Sequence, residues 1–258
     1  MACSVQDEVH LVNCFPARVN NTHAHVGLAT DGDADRIGAV DANGNFIDPH
    51  HIMALSLQYL FEKRGWRGAV VKTVSTTLML NRLAKKYNLP LYETSVGFDG
   101  IADLMMTRDV LIGGEESGGI SIKGHIPEGD GVLMGLLLLE VMAHAHAPLH
   151  ELIMNLQQEV GPTYYKRDDI KLDKPVPKSE MVERLANSAP NTINNEHVVS
   201  IQTTDGIKFI MADDSWLLIR PSGTEPVLRV YVESEDEAAV KNILAVGRDM
   251  AGKSTTVT

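Results

Sequence analysis

Between Gly68 and Gly114 the chain alternates three short apolar runs with two amphipathic stretches, and this alternation constrains the fold more than any other feature. The runs "GAVVKTV", "LPLYET" and "DVLIGG" read as strands, and "TTLMLNRLAKKYN" and "GIADLMMT" read as the helices between them. Apolar strands joined through helices do not pair as hairpins. They predict a parallel sheet covered by helices. Ligands of such sheets collect at the carboxyl ends of the strands, which singles out the loops after Val74, Thr94 and Gly113.

On the amino-terminal side, "VGLAT" reads as a strand and "IGAVDANGNFI" as two strands joined by the Asn43-Gly44 turn. Pro49 opens a helix that runs to about Arg64, where Gly65 stops it. Residues 1–24 show little periodicity and read as a loosely held lead-in. Two further helices are expected over about 130–146 and 148–159. The segment "KLDKPVPKSE" then marks a change of character and a domain boundary. Beyond it, strands and turns alternate up to a closing helix in "DEAAVKNILAVGRDMA", a pattern of antiparallel α+β structure. At 258 residues, two domains are the natural expectation at about 100 to 200 residues each.

A net charge of −11 argues against nucleic-acid and anionic-membrane partners, which are held through basic patches. The longest apolar stretch, "GVLMGLLLLEVMA", is shorter than the roughly 20 residues of a membrane span and contains Glu140, so a buried helix is expected. Cys3 and Cys14 offer no disulfide framework, and the start lacks the charge and apolar pattern of a signal peptide. A cytoplasmic location follows as an expectation.

Three segments carry chemistry. "GLATDGDADRIGAV" places Asp31, Asp33 and Asp35 on alternate positions before Arg36, and like charges so close together call for a counter-ion. Hard carboxylate oxygens of this kind suit Mg²⁺. An EF-hand is excluded, because Arg36 stands at its glycine position and Ala42 at its glutamate position. A solvated acidic turn is the alternative, and Arg36 either neutralises the carboxylates or grips a phosphoryl group. "GGEESGG" combines backbone that a ligand can approach closely with Glu115, Glu116 and Ser117, groups suited to sugar hydroxyls; an ordinary exposed turn competes with that reading. "RPSGTEP" offers Arg220, Ser222, Gly223 and Thr224 as a cradle for a phosphate that is not reacting, against a plain hairpin turn. Lys123 and His125, with Asp130, are weaker candidates near the glycine-rich loop. His144, His146 and His150 do not share a helix face, so capping or solvation explains them better than zinc does.

Together, "DGDADR", "GEESGG" and "RPSGTEP" resemble the α-D-phosphohexomutase family of phosphoglucomutases and phosphomannomutases, from about Gly27 to the closing helix. The resemblance implies Mg²⁺ on Asp31, Asp33 and Asp35, with Arg36 beside a phosphoserine. It further implies sugar hydroxyls at Glu115 and Ser117, and a nontransferring phosphate at Arg220, Ser222, Gly223 and Thr224. The implied fold is α/β: residues 1–48 as the remnant of a second domain, and 49–165 as a three-layer α/β/α third domain with a mixed, largely parallel sheet. Residues 166–258 would form an α+β, TATA-binding-protein-like fourth domain. The implied partners are a hexose phosphate, with glucose 1-phosphate or 6-phosphate favoured, and its 1,6-bisphosphate.

Two departures qualify the resemblance. The family's serine lies in a "TASHNP"-like loop of its first domain, and no such loop occurs in this sequence. The chain is therefore expected to correspond to a C-terminal portion and to be inactive alone. The second is Asp99, near which relatives commonly place a basic residue for phosphate or hydroxyl contacts; Gly119, where aminosugar and mannose-type relatives often have His, leans toward a phosphoglucomutase-like member. Two rival readings are a Mg²⁺-dependent phosphatase with Asp31 as nucleophile and a non-catalytic sugar-phosphate-binding chain. Asp35 stands where the phosphatase motif has Thr or Val, which counts against the first.

Overall fold

The computed structural model describes residues 19–172, 177–223 and 225–255, with the side chains of 253–255 not described. Cys3, Cys14 and most of the expected lead-in lie outside them, as do Asp173 to Val176 and Thr224. The chain divides into two compact units between Gly161 and Pro162.

The first unit opens with a three-stranded antiparallel sheet of β1 (Val26–Thr30), β2 (Ile37–Asp41) and β3 (Phe46–Ile47). The β2–β3 turn is organised by buried Asp41, whose carboxylate accepts from the Asn43 and Asn45 backbone N–H groups at 2.9 and 2.8 Å, while Gly44 takes φ +86°. Asp48 then caps α1 (Pro49–Glu62) by accepting from His51 N at 2.9 Å, with proline in the first turn as its fixed φ favours. There follow β4 (Ala69–Thr73), α2 (Met79–Tyr87), β5 (Leu91–Thr94), α3 (Phe98–Thr107), β6 (Val110–Gly114) and β7 (Ile120–Ile122). They form a sheet in the order β5-β4-β6-β7, parallel except for the β6–β7 pair. Val70 faces a core shared with α1 and α2, whereas Val71 packs with Ile101 of α3, so neighbouring positions of β4 serve opposite layers. The expected α/β/α domain is thus present.

Helix α2 starts three residues later than the pattern predicts. Lys72, fully buried, draws the Thr76 and Thr77 carbonyls to its ammonium at 2.9 and 3.1 Å, and Thr77 Oγ1 accepts from Met79 N. Those residues serve as a polar knot and leave the helix to begin after it. Helices α4 (Gly131–Ala145) and α5 (Leu149–Val160) complete the unit. The expectation of a buried helix holds for one face of α4 only. Met134, Leu137, Leu138 and Val141 are buried, but Val132 and Leu136 are 55% and 60% exposed. Among the described residues, no single helix is long and apolar enough to cross a membrane. His146 takes the left-handed C-cap of α4 at φ +52°, a capping role in line with the sequence.

The second unit is a six-stranded antiparallel sheet, in the order β8-β13-β12-β11-β10-β9. Its strands are β8 (Tyr164–Lys171), β9 (Thr192–Ile193), β10 (Glu196–Gln202), β11 (Ile207–Met211), β12 (Trp216–Pro221) and β13 (Val227–Ser234). Alternate residues Ile207, Phe209, Leu217, Ile219, Val230 and Val232 share a core with α6 (Lys178–Asn187) and α7 (Glu237–Thr255). Strand β8, "YYKRDDIK", was not legible as a strand, because it is a charged edge that pairs with β13 along its whole length. That pairing places the composition break at 171–180 inside the second unit, as the link from β8 to α6, instead of between the units.

Candidate functional site

The loop Asp31 to Arg36 joins β1 to β2, whose register brings Thr30 opposite Ile37. Inside it, Ala34 N donates to Asp31 O at 3.3 Å, and Ala34 adopts φ +61°. Arg36 N lies 3.4 Å from Asp31 Oδ1, and Arg36 Nε is 3.8 Å from Asp31 and 3.9 Å from Asp35. Burial, and then the neighbouring Asp31 carboxyl, raise the Asp35 pKa above the ordinary carboxylate value. Asp35 Oδ1 is also buried without a hydrogen-bond partner. Asp33, by contrast, is exposed, and no group of three or more His, Cys, Asp and Glu side chains converges as a metal cluster among the described residues. The two carboxyls with an orphaned oxygen nevertheless fit the hard-oxygen chemistry of Mg²⁺.

The glycine-rich loop between β6 and β7 is a tight hairpin, with Glu115 N donating to Gly119 O at 2.9 Å. Ile37 N donates to Gly118 O at 3.1 Å, and Arg36 and Gly119 form an antiparallel bridge. Gly118 has φ +103°, and a Cβ there would stand 2.8 Å from Ile37 O, so this close approach requires glycine. The end of the acidic loop is thereby stitched to the glycine-rich loop. Glu115 is held from two sides: Oε1 accepts from Gly97 N at 2.8 Å, and Ser117 Oγ lies 3.4 Å from Oε2. Burial raises the Glu115 pKa, with the Gly97 N–H and the Arg36 charge opposing. Gly97 starts α3 and carried no signal of this role beyond its place after β5. Asp99 sits exposed in the first turn of that helix, where a carboxylate suits the helix dipole; this accounts for an acid at that position.

The weaker candidates separate. Lys123 is a correction: its backbone pairs with Leu111, and its ammonium meets Asp109 at 2.6 Å and Arg67 O at 3.0 Å. Because β7 runs back along β6, this is the opposite end of the strand from Glu115. His125 Nε2 lies 3.0 Å from Asp130 Oδ2 without hydrogen-bond geometry, and Asp130 caps α4 through Leu133 N.

In the second unit, the turn after Arg220 is closed by Ser222 N donating to Val227 O at 2.8 Å. Gly223 is exposed with open space around it, and Thr224 lies outside the described residues. Arg220 Nε donates to Asp205 at 2.6 Å. Asp205 was missed from sequence, since a lone "DG" before a strand reads only as a turn.

The phosphoglucomutase/phosphomannomutase alpha/beta/alpha domain III profile matches residues 48–160, and the C-terminal domain profile of the same family matches residues 173–248. A phosphoglucosamine mutase of Methanococcus aeolicus is 33% identical over 246 residues, 95% of this chain and 52% of its own length. The structure of a provisionally assigned phosphomannomutase from Thermus thermophilus aligns with TM-score 0.77 and 30% identity over 93% of this chain and 49% of that one. An N-acetylphosphoglucosamine mutase of Aspergillus fumigatus, in complex with GlcNAc-6P and magnesium, shares the fold at TM-score 0.56 and 18% identity, over 87% of this chain and 51% of that one. The chain thus spans about half the length of the relatives it matches. Two domains of one family, matched in order along a chain that aligns almost from end to end, place it in the α-D-phosphohexomutases, the phosphoglucomutase/phosphomannomutase family, as the counterpart of their C-terminal portion.

Proposed function

We propose that this chain supplies sugar- and phosphate-binding residues of a phosphohexomutase, which moves a phosphoryl group between the 1- and 6-positions of a hexose phosphate through a phosphoserine and a bisphosphate intermediate. The observation that carries the reading is the stitch between Ile37 and Gly118, which brings Arg36, Asp31 and Asp35 alongside Glu115. A cation site and a hydroxyl acceptor are then neighbours, as phosphoryl transfer to a sugar hydroxyl requires.

In this reading Arg36 donates to oxygens of the moving phosphoryl group and offsets their charge. Glu115 accepts hydrogen bonds from sugar hydroxyls, with Ser117 beside it. Arg220, Ser222, Gly223 and Thr224 hold the phosphate that is not transferred. Mg²⁺, held by Asp31 and Asp35 with the exposed Asp33 as its third ligand, would neutralise charge on the transferring phosphoryl group. Residues 1–48 belong, in this reading, to a preceding domain. Gly119 favours glucose phosphates, because it adds no side chain beside Glu115 that could recognise an amino group. A phosphatase with Asp31 as nucleophile is not favoured by the family to which the chain belongs.

Titration calorimetry of the purified chain with glucose 1,6-bisphosphate and Mg²⁺ tests the reading. Saturable binding that weakens in Arg36→Ala is expected, with weaker binding of the glucosamine and mannose analogues. No binding, or binding indifferent to Arg36, would overturn it. With glucose 1-phosphate and the bisphosphate, no turnover is expected from these 258 residues, because no "TASHNP"-like serine loop is among them.

A further inference from the structure

The antiparallel register of β11 and β12 sets Ile207 opposite Ile219. The residues just outside that pair, Gly206 on one strand and Arg220 on the other, are therefore neighbours. Gly206 has φ +86°, and a Cβ there would stand 2.4 Å from Ile219 O and 2.9 Å from Arg220 Cα. The turn before β11 is pressed against the start of the cradle. This close approach carries the side chain of Asp205 to Arg220, where Oδ2 accepts from Nε at 2.6 Å. The other oxygen, Oδ1, accepts from Lys178 Nζ at 2.6 Å, at the first residue of α6. Asp205 and Arg220 have side chains 6% and 13% exposed, while that of Lys178 is 47% exposed.

We propose that Asp205 is the positioning residue of the phosphate cradle: it fixes the guanidinium of Arg220 through Nε and tethers Lys178 as a second cation beside it. This rests on the reading of the 220–226 turn as a phosphate site. Among the described residues, Asp205 is one carboxylate shared by these two cations, so the three groups together carry one positive charge in excess, which an anion can satisfy. Holding Nε fixes the plane of the guanidinium and leaves its two Nη nitrogens for a bidentate grip on phosphate, the geometry that distinguishes arginine from lysine. Lys178, more exposed and on a flexible stem, adds charge without direction. The arrangement suits a phosphate monoester of variable attachment, because neither cation depends on the group to which the phosphate is joined.

The direction of the effect at Asp205 separates positioning from simple charge. If Asp205 acted on the phosphate only through its charge, removing it would strengthen anion binding. If it positions Arg220, removing it weakens binding. Dissociation constants for inorganic phosphate and for glucose 1,6-bisphosphate are measured on the whole purified chain, with the Arg220 Nε–H resonance followed by nuclear magnetic resonance. In the wild type that resonance is expected well downfield and exchanging slowly. Asp205→Ala is expected to weaken both ligands about tenfold and to shift the resonance upfield, Lys178→Ala to weaken them about threefold with the resonance in place, and Arg220→Ala to weaken them about 100-fold. Should Asp205→Ala fail to fold, by circular dichroism, Asp205→Asn gives the same test of sign with the acceptor partly kept. Unchanged or tighter binding in a folded Asp205 variant, with binding still weakened in Arg220→Ala, overturns the positioning role and leaves the cradle standing. Absence of phosphate binding in the wild type overturns both.

Discussion

The acidic loop between β1 and β2 and the turn between β12 and β13 are built by one device, a short connection between adjacent antiparallel strands, yet their charges are balanced in opposite senses. In the first, Arg36 stays at 3.8 and 3.9 Å from two carboxyls, and Asp35 keeps a raised affinity for its proton. In the second, a single carboxylate, Asp205, meets Arg220 and Lys178 at 2.6 Å each. The difference teaches that the architecture of a loop does not choose its ligand. In the proposed reading the unbalanced charge does: a surplus of carboxylate suits a cation, and a surplus of cation suits phosphate.

Packing separates the two loops as well, and it yields the largest expected effect. A Cβ at Gly131 would stand 2.3 Å from Arg36 O, so Gly131→Ala is expected to destabilise the first unit by about 3 kcal/mol in denaturant unfolding and to displace the acidic loop. A loss under about 0.5 kcal/mol would break the claim that this loop is packed in place. Next come the two arginines. Arg36→Ala and Arg220→Ala are each expected to weaken bisphosphate binding about 10- to 100-fold by calorimetry, but only the loss at Arg36 should depend on Mg²⁺ concentration. Equal Mg²⁺ dependence at both sites would erase the contrast between them.

A smaller effect is expected from pH. Burial raises the Glu115 pKa, so the folded protein holds that proton more tightly than the unfolded chain does. The stability linked to Glu115 is therefore complete below the ordinary carboxylate pKa and is lost as pH rises through the raised one. Hydroxyl binding runs the other way, since only the carboxylate is a pure acceptor: sugar-phosphate affinity should fall as pH drops through the same range. Glu115→Gln is expected to flatten both profiles, and a pH dependence of unchanged shape in that variant would remove Glu115 from the site. The smallest effect belongs to Gly223→Ala, which meets no atom within 4 Å and should change stability by less than about 0.5 kcal/mol.

Much of the fold was legible because its signals are local. The β4–β6 alternation, the Asn43-Gly44 turn and the Pro49 helix start each depend on neighbours in the chain, and each is present. Strand β8 was illegible for a physical reason: an edge strand that carries charges on both sides has no apolar alternation to announce it. The start of α2 escaped because a buried lysine, itself unexpected, claims the Thr76 and Thr77 carbonyls. Within the site, Asp31, Arg36, Glu115 and Arg220 could be named from their motifs. Gly97 and Asp205 could not, since each reaches its partner across a gap in sequence that only the sheets close.

The sequence by itself determined which chemistries the chain carries, because carboxylate clusters, glycine-rich turns and an arginine-led loop are written in residue type and spacing. Tertiary structure alone decided which of those residues meet. It left Asp33 exposed, moved Lys123 to the far end of β6, and joined Arg36 to the glycine-rich loop through Ile37 and Gly118. The reason is that strand register and close backbone approach are cooperative properties of whole sheets, so a contact between distant residues is set by every pairing around it and by no single motif.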